Sequence, residues 1–556
     1  MRYKTHLLLL FTMACLVYAN TVSNDLVYDD LAVIPDQEVI RDPWALGAIF
    51  GGRYFGDLAE QDPLYRPLTV WSLALTYALN QGLGLPGEHP VGFHLGNLLL
   101  HALVCCVLFA FWVQIDVPAM AALGAVFLFA VHPVHTEAVA SVVNRSELLA
   151  ALFGFGFLLL HRRRSLWAVV CVLLSLWSKE SAAAFVPLVI WMDRGQWRWK
   201  IYCFYGGVLL GWLGLRAMVI GQRSLEISLL DNPLVNASMG GRIVTASRVQ
   251  LAYLKLQVWP VGLSSDYSLN QIPVATGVGD PGFWVFVGIF MGACLLAWRV
   301  RDPVLSFGVV GYTVLFSVTS NFLFIIGTVM GERHVYAPSA CFCLLVGYGI
   351  FQGYERWGRP MLVVFGLVLV VFGGLSVMRN RTWANESVFY QTQIQGAPNS
   401  ARANWGAGNQ DVMAGNFGRG IVRLQRALEI WPDYALAWST LGAAYTTQGK
   451  LGQAMATFRA ALDRGIHSPA LYYNQGRTYQ LQRDYVRAVE AYKVAIQMDP
   501  GFVPAYVNLG GVHYLEGRFT EAERVWREVI RLDPEHREVK NNLKALADIQ
   551  ARQRRP

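Results

Sequence analysis

The sequence predicts an all-α fold in which a polytopic membrane bundle of roughly ten to twelve spans precedes an α-solenoid. Three observations predict it. Apolar residues make up 54% of the 556 residues and charged residues only 15%, as in membrane proteins that carry one soluble domain. Apolar runs of roughly membrane length recur up to residue 378, and a repeat of 34 residues begins at residue 401.

The apolar runs place the spans. The first run, from about Thr5 to Val22, is interpreted as a retained span, with a signal peptide as the alternative. Further spans of about 20 apolar residues or somewhat fewer are expected near 91–113, 118–133, 147–161, 166–178, 181–192, 201–217, 243–260, 282–298, 303–326, 334–352 and 361–378.

Short basic clusters set the predicted orientation. They are "HRRR" at 161–164, "DRGQWRWK" at 193–200, "WRVRD" at 298–302 and "YERWGR" at 354–359. The positive-inside rule puts such loops in the cytoplasm, so the net charge of +8 does not require nucleic acid, and no nucleic-acid partner is expected. The opposite face then carries a long first loop, about 22–90, the turn 132–147 and everything after residue 379. The stretch "RPLTVWSLALTYALN" in that first loop is expected to be an amphipathic or interfacial helix.

The repeat region is predicted to be a tetratricopeptide array. Four units start at 401, 435, 469 and 503 and share glycine at their eighth position: Gly408, Gly442, Gly476 and Gly510. A small residue there lets two antiparallel helices approach, while large residues such as Phe458 fill the space beside it. The predicted organisation is a membrane domain over 1–380, a linker over 381–400, four repeats over 401–536, and a capping helix with a basic tail over 537–556.

Polar residues beside the bilayer are the candidate functional groups, because they are costly there unless paired or functional. Adjacent Asp29 and Asp30 point in different directions on any regular backbone. One could act as a general base while the other orients a substrate or a divalent metal ion. The alternative is a helix start after Tyr28 with acids in its first turn.

Other external stretches supply candidate substrate-binding residues. "HPVHTEAVASVVNRSE" contains His132, His135, Glu137, Arg145 and Glu147; it lacks the HExxH arrangement of a zinc enzyme, so either mutual hydrogen bonding or substrate binding is expected. "GERHVYAPS" offers Arg333 and Tyr336, with an Arg333–Glu332 ion pair as the alternative to phosphate binding. Arg66 of "YRPLT" is a further candidate, and Lys179 and Glu180 of "SKES" could simply pair with each other.

Taken together, these stretches resemble the transmembrane-and-tetratricopeptide protein O-mannosyltransferases of the GT-C glycosyltransferase superfamily. The resemblance lies in "VYDD", "YRPLTVWSLALTYALN", "GFHLGNLLLHALV", "LFLFAVHPVHTEAVASVVNRSELLA", "WSKES" and "ERHVYAPSACFCLL", followed by the repeats. It implies a GT-C-like bundle that takes a sugar from a polyprenyl-phosphate carrier. It further implies that Asp29 is the general base and Asp30 its supporting acid, while Arg333, Arg145 and His135 steady the donor phosphate.

The expected function is transfer of a sugar, mannose by resemblance, to protein hydroxyl groups outside the cytoplasm. The acceptor polypeptide would dock on the repeats, and the membrane lipid is the second partner. The short chain suggests a prokaryotic relative in the bacterial inner membrane with periplasmic repeats, or an endoplasmic reticulum protein with luminal repeats if eukaryotic. Two alternatives stay open: transfer to a lipid or polysaccharide acceptor, and a non-enzymatic membrane scaffold. A transporter is less favoured, because the charges cluster at the external rim.

Overall fold

The computed structural model describes residues 3–35, 37–54, 64–221, 227–269 and 271–553. Over these residues the chain is helical and contains no β-strand, so the all-α prediction is confirmed. The chain divides into two compact units, 1–397 and 398–556.

The first unit contains seventeen α-helices within its described residues. In order they are α1 Lys4–Tyr18, α2 Asp29–Val33, α3 Leu46–Gly51, α4 Pro67–Gly82, α5 Pro90–Gln114, α6 Ala119–Val131, α7 Thr136–Ala140, α8 Arg145–Arg162, α9 Trp167–Ser178, α10 Leu188–Met192, α11 Trp199–Ile220, α12 Met239–Val258, α13 Pro281–Val300, α14 Pro303–Ser317, α15 Tyr336–Trp357, α16 Arg359–Asn380 and α17 Glu386–Gly396.

Six helical stretches among the described residues are long and apolar enough to cross a membrane: Lys4–Ser23, Pro90–Gln114, Trp199–Ile220, Pro281–Val300, Glu332–Trp357 and Arg359–Trp383. A seventh is the bent pair Ala119–Val131 and Pro133–Ala140, whose two parts meet at 52°. Three shorter apolar helices, Trp167–Ser178, Glu180–Met192 and Pro303–Ser317, fall within or close to further predicted spans, although the third ends short of the predicted residue 326. The predicted interfacial stretch forms α4.

The membrane core is built around α5, α6, α8 and α15, which carry most of its fully buried side chains. The α6 and α15 backbones approach closely at Gly347, where an added Cβ atom would lie 2.5 Å from the backbone nitrogen of Ala125. Polar side chains also tie helices together: Asn380 donates to the carbonyl of Val17 over 3.0 Å. A buried side-chain amide without a hydrogen-bond partner costs free energy, so hydrogen bonds of this kind fix how the helices pack.

The second unit consists of paired helices at the predicted spacing. They are α18 Ala401–Met413, α19 Phe417–Ile430, α20 Ala435–Thr447, α21 Leu451–Asp463, α22 Pro469–Leu481, α23 Tyr485–Met498, α24 Val503–Leu515, α25 Phe519–Leu532 and α26 Arg537–Gln553. The eighth-position glycines face large side chains, as predicted: an added Cβ at Gly442 would lie 2.1 Å from the Phe458 ring and one at Gly510 2.4 Å from the Trp526 ring. Val539 and Leu546 of α26 are buried with Trp526.

Candidate active site

The acidic pair opens α2, a helix of five residues that follows a strained turn. Tyr28 has φ of +59°, a conformation that is uncommon for a residue with a side chain. Its ring packs against Phe389 of α17, with centroids 5.5 Å apart, and the backbone amide of Asp25 donates to the carbonyl of Ala384 over 2.9 Å. The stretch 381–400, predicted as a linker, therefore contains a helix that supports the acid-bearing turn.

Asp30 points into the protein, whereas Asp29 lines a cavity. Asp30 is 1% exposed, and its Oδ1 accepts hydrogen bonds from the backbone amide of Val143 at 2.9 Å and the hydroxyl of Ser141 at 3.3 Å. Burial raises the pKa of Asp30 from 3.8 to about 7, against the lowering effect of the backbone hydrogen bonds. Asp29 is only partly buried and is a cavity-lining side chain. The two acids thus have different surroundings, as their adjacency predicts.

The cavity has a volume of about 540 Å³, within the range of ligand pockets, which is about 300–1,000 Å³. One part of its wall is charged and is formed by Asp29, Arg66, Lys179, Glu180, Arg216, Asp231 and Arg333. Another part is apolar and includes Val318, Phe324, Ile325 and Ile326. A ligand with a charged head and an apolar tail matches this division.

Three cations on the wall are each held by a carboxylate from another segment. Arg66 pairs with Glu180 at 3.0 Å, Lys179 with Glu147 at 2.5 Å, and Arg333 with Glu137 at 2.5 Å. Such pairs fix the direction of a long side chain. In the described part of the chain, Nη1 of Arg66 and Nη2 of Arg333 donate no hydrogen bond, which leaves each guanidinium a donor for a ligand.

These pairings correct two local ion pairs that the sequence suggested. Arg333 pairs with Glu137 and not with its neighbour Glu332; Glu332 is fully buried and lies 3.6 Å from Arg379. Lys179 and Glu180 do not pair with each other, because the chain between them is extended at Lys179 and sends the two side chains to different partners. Distant partners satisfy each charge, which sequence proximity could not reveal.

Asp30, Glu137 and Glu147 are not among the residues that line the cavity, and neither are four further candidates. Both ring nitrogens of His135 are hydrogen-bonded, to the carbonyl of Phe129 and the hydroxyl of Ser339. His132 contacts the carbonyl of Gln257 at 2.9 Å. The Tyr336 hydroxyl contacts Nδ1 of His101 at 2.7 Å, an interhelical hydrogen bond between α15 and α5.

Arg145 is the fourth of these residues. Its guanidinium donates to the side chains of Asn97 and Thr76 and to the carbonyls of Ser72 and Phe93, all at 2.8–2.9 Å. These bonds tie α8 to α4 and α5 and use every nitrogen of the guanidinium. In this arrangement Arg145 links three helices of the membrane unit. Phosphate binding by Arg145 remains a prediction, and so does substrate binding by His132, His135 and Tyr336.

Sequence reasoning did not select several other cavity residues. His334, next to Arg333, lies 3.6 Å from Glu147 through Nδ1 and 3.2 Å from the Thr328 hydroxyl through Nε2. Tyr54 and Arg216 also line the cavity. The motif "GERHVYAPS", which contains His334, could have identified that residue. Arg216 could have been identified as an arginine inside an apolar run. No feature of the sequence pointed to Tyr54. No three His, Cys, Asp or Glu side chains within the described ranges are grouped so that they could together hold a metal ion.

Comparisons with known proteins confirm the family resemblance and the repeats. The tetratricopeptide repeat family is matched by residues 406–469 and 480–547. A protein O-mannosyl-transferase of Caenorhabditis elegans is 28% identical over 72% of this chain and 59% of its own length. TMTC4 of Mus musculus is 25% identical over 73% and 63%, and Tmtc3 of Drosophila melanogaster is 25% identical over 80% and 57%; both carry the same enzyme name. This chain spans about three fifths of the length of these relatives.

Solved structures with a likeness to part of this chain include two tetratricopeptide repeat proteins. The TPR protein YrrB, described as having an unusual peptide-binding site, is 19% identical, with a TM-score of 0.25 over 30% of this chain and 85% of its own. The Thermus thermophilus TPR protein TTC0263 is 16% identical, with a TM-score of 0.27 over 33% and 95%. Nothing about the function of this chain rests on these two likenesses.

Proposed function

We propose that this chain is an integral membrane glycosyltransferase of the GT-C type, which transfers mannose from a polyprenyl-phosphate carrier to hydroxyl groups of protein acceptors on the non-cytoplasmic side of the membrane. One observation carries the proposal: a single cavity joins Asp29 with Arg66, Lys179 and Arg333. The names of the relatives support the enzyme class.

The donor would bind through its phosphate and its tail. A lipid-linked sugar can reach a bilayer-level cavity laterally, and its phosphate would accept hydrogen bonds from the open guanidinium nitrogens of Arg66 and Arg333 and from the Lys179 ammonium. The apolar wall at Phe324, Ile325 and Ile326 suits the first part of the prenyl chain. Because Glu180, Glu147 and Glu137 already orient these cations, little reorganisation is needed when the donor binds.

In the proposed reaction, Asp29 accepts the proton of the acceptor hydroxyl while its oxygen attacks the anomeric carbon. The bond between that carbon and the phosphate oxygen breaks, and the polyprenyl phosphate leaves with the electron pair. Arg333 is well placed to stabilise the leaving charge, since Asp29 and Arg333 are close enough to interact electrostatically. Asp30 would act as a positioning residue, because its bonds to Ser141 and Val143 fix the turn that carries Asp29. Inversion at the anomeric carbon follows from the family resemblance.

The repeats would serve the acceptor. Tetratricopeptide arrays present a concave surface to extended polypeptides, so a protein acceptor is favoured over a lipid or polysaccharide. The distribution of basic loops supports repeats on the non-cytoplasmic side of the membrane, which is the periplasm for a bacterial chain and the endoplasmic reticulum lumen for a eukaryotic one.

Sugar transfer in detergent tests the proposal. The full chain is incubated with polyprenyl-phosphate mannose and a membrane-free extract of external proteins, beside a variant that lacks residues 401–556. We expect mannose in protein with the full chain and loss of protein labelling with the shortened one. Equal labelling by both would contradict docking on the repeats and favour another acceptor. No transfer by well-folded full chain, with this or other carrier-linked sugars, would favour the scaffold.

A further inference from the structure

A second cavity, of about 390 Å³, lies at the opposite end of α5 from the acidic pair. The acid-side end of α5 contacts Arg145 through the carbonyl of Phe93, whereas the second cavity is lined by the last turns of the helix. At 1.5 Å per residue, the two ends are about 30 Å apart. The second cavity is therefore separate from the proposed active site.

This cavity is apolar along its wall and polar at one end. Leu7 of α1 and three residues of α5, Phe109, Ala110 and Val113, supply apolar surface. The Tyr3 ring packs edge-on against Phe109 with centroids 5.6 Å apart. Gln114 and Arg163 are the polar lining residues. A ligand with an anionic head and an apolar tail fits this arrangement, and the volume is within the range of ligand pockets, about 300–1,000 Å³.

The Arg163 guanidinium is oriented but not neutralised. Its Nε donates to Oε1 of Gln114 over 3.0 Å, and Nε2 of Gln114 donates in turn to the carbonyl of Leu159 over 3.2 Å. Arg163 is exposed, and within the residues that the structure describes its Nη1 and Nη2 donate no hydrogen bond and it joins no ion pair. Two parallel N–H donors held in this way match two oxygens of one phosphate.

The surrounding charge is also positive. Lys4, Arg162 and Arg164 are exposed around the cavity segments, and Asp116 is the only acid in the stretches 3–10, 105–117 and 158–168. Asp193, the residue after α10, lies 3.3 Å from His161 and 3.8 Å from Arg198. Exposed Trp167 follows the basic run, and tryptophan at such a position marks the boundary between membrane and water. Basic pockets between membrane helices on the cytoplasmic side, where the sequence places residues 161–164, attract anionic lipid head groups.

We infer that this cavity binds one anionic glycerophospholipid, with its phosphate on Arg163 and the first part of an acyl chain against Leu7, Phe109 and Val113. This site is independent of sugar transfer. It would fasten the end of α1 to α5 and α8 through a lipid, so occupancy should stabilise the folded bundle.

The test uses purified full chain in detergent, with native mass spectrometry after addition of phosphatidylglycerol or phosphatidylcholine. We expect one phosphatidylglycerol retained per chain and weaker retention of phosphatidylcholine. Arg163→Gln should weaken phosphatidylglycerol retention about 10- to 100-fold, as for loss of a charge-assisted pair. Arg164→Gln is the matched control: it removes the same charge from the neighbouring position, outside the cavity lining, and should change retention by less than about threefold.

A second variant keeps every charge. Ala110→Trp places a large side chain in the apolar part and should also reduce retention, while a thermal midpoint measured without lipid shows whether the variant is folded. Equal retention of both lipids, or equal loss in Arg163→Gln and Arg164→Gln, would overturn the site in favour of general surface attraction. Undiminished retention in a folded Ala110→Trp chain would overturn the placement of the acyl chain.

Discussion

Asp30→Asn should remove a large pH dependence from the stability of the membrane unit. The pKa of Asp30 rises from 3.8 in its ordinary state to about 7 because of burial. Between these values the folded chain keeps a proton that the unfolded chain releases, so stability is greatest at low pH, falls as the pH rises and levels off above about pH 7. At 1.36 kcal/mol per pH unit, the total is about 4 kcal/mol.

Asparagine is the suitable replacement because its Oδ1 can still accept from Val143 and Ser141, the two donors that Asp30 uses. Only the titrating proton is lost. The unfolding free energy of each chain is measured at pH 5 and pH 8. The chain is held in micelles of a mild detergent, and a denaturing detergent is added stepwise. From pH 5 to pH 8, we expect the wild type to lose about 3 kcal/mol relative to Asp30→Asn.

Glu38→Gln is the control, since Glu38 is an exposed acid of the same loop and its replacement should leave the pH dependence of the wild type unchanged. The reasoning is refuted if the stability difference between wild type and Asp30→Asn is the same at both pH values, or if it moves in favour of the wild type from pH 5 to pH 8. Either result would mean that Asp30 is charged in the folded protein throughout this range.

Three further substitutions test other contacts. Arg333→Gln should destabilise the membrane unit by about 3–5 kcal/mol because it leaves buried Glu137 without its 2.5 Å partner; adding Glu137→Gln should restore much of the loss, and a double variant no more stable than the single one would count against the pair. Gly442→Ala should cost the repeat unit about 1–3 kcal/mol in urea unfolding, since its Cβ would meet the Phe458 ring at 2.1 Å. Gly452→Ala, at a helical site with nothing within 4 Å, should stabilise the same unit by about 0.5–1 kcal/mol; equal effects at the two glycines would show that packing does not distinguish them.

The repeats could be predicted from the sequence in detail because local rules determine them. Glycine at the eighth position and a large residue in the paired helix are visible as a pattern at fixed spacing, and α18 to α25 start close to where that pattern places them. Each predicted span likewise overlaps a helix, since length and apolarity are local properties, but the helix within 303–326 ends at Ser317. Six or seven of the helical stretches meet a strict length and hydropathy criterion over the described residues, and the shorter ones depend on their neighbours for burial.

The candidate site could be predicted only in part. Single motifs brought Asp29, Arg66, Lys179 and Arg333 to attention, and these four line one cavity. The partner of each cation could not be predicted, because Glu137 and Arg333 are 196 residues apart in sequence and meet only through the packing of several helices. The hydrogen-bond partners of Arg145 could not be predicted either: neutral groups on α4 and α5 accept all its hydrogen bonds, and phosphate binding stays a prediction for this residue. The support given to Tyr28 by Phe389 had no sequence signal at all.

The central claim is that Asp29 acts as the base in a cavity whose cations bind the donor. It is tested most directly by comparing Asp29→Asn with the wild type in two measurements on the same preparation: turnover of polyprenyl-phosphate mannose with a protein acceptor, and binding of the donor alone. The account predicts a fall in turnover of about 100-fold or more, as for loss of a general base, with donor affinity changed by less than about threefold. Undiminished turnover, or a loss explained entirely by weaker donor binding, would contradict it.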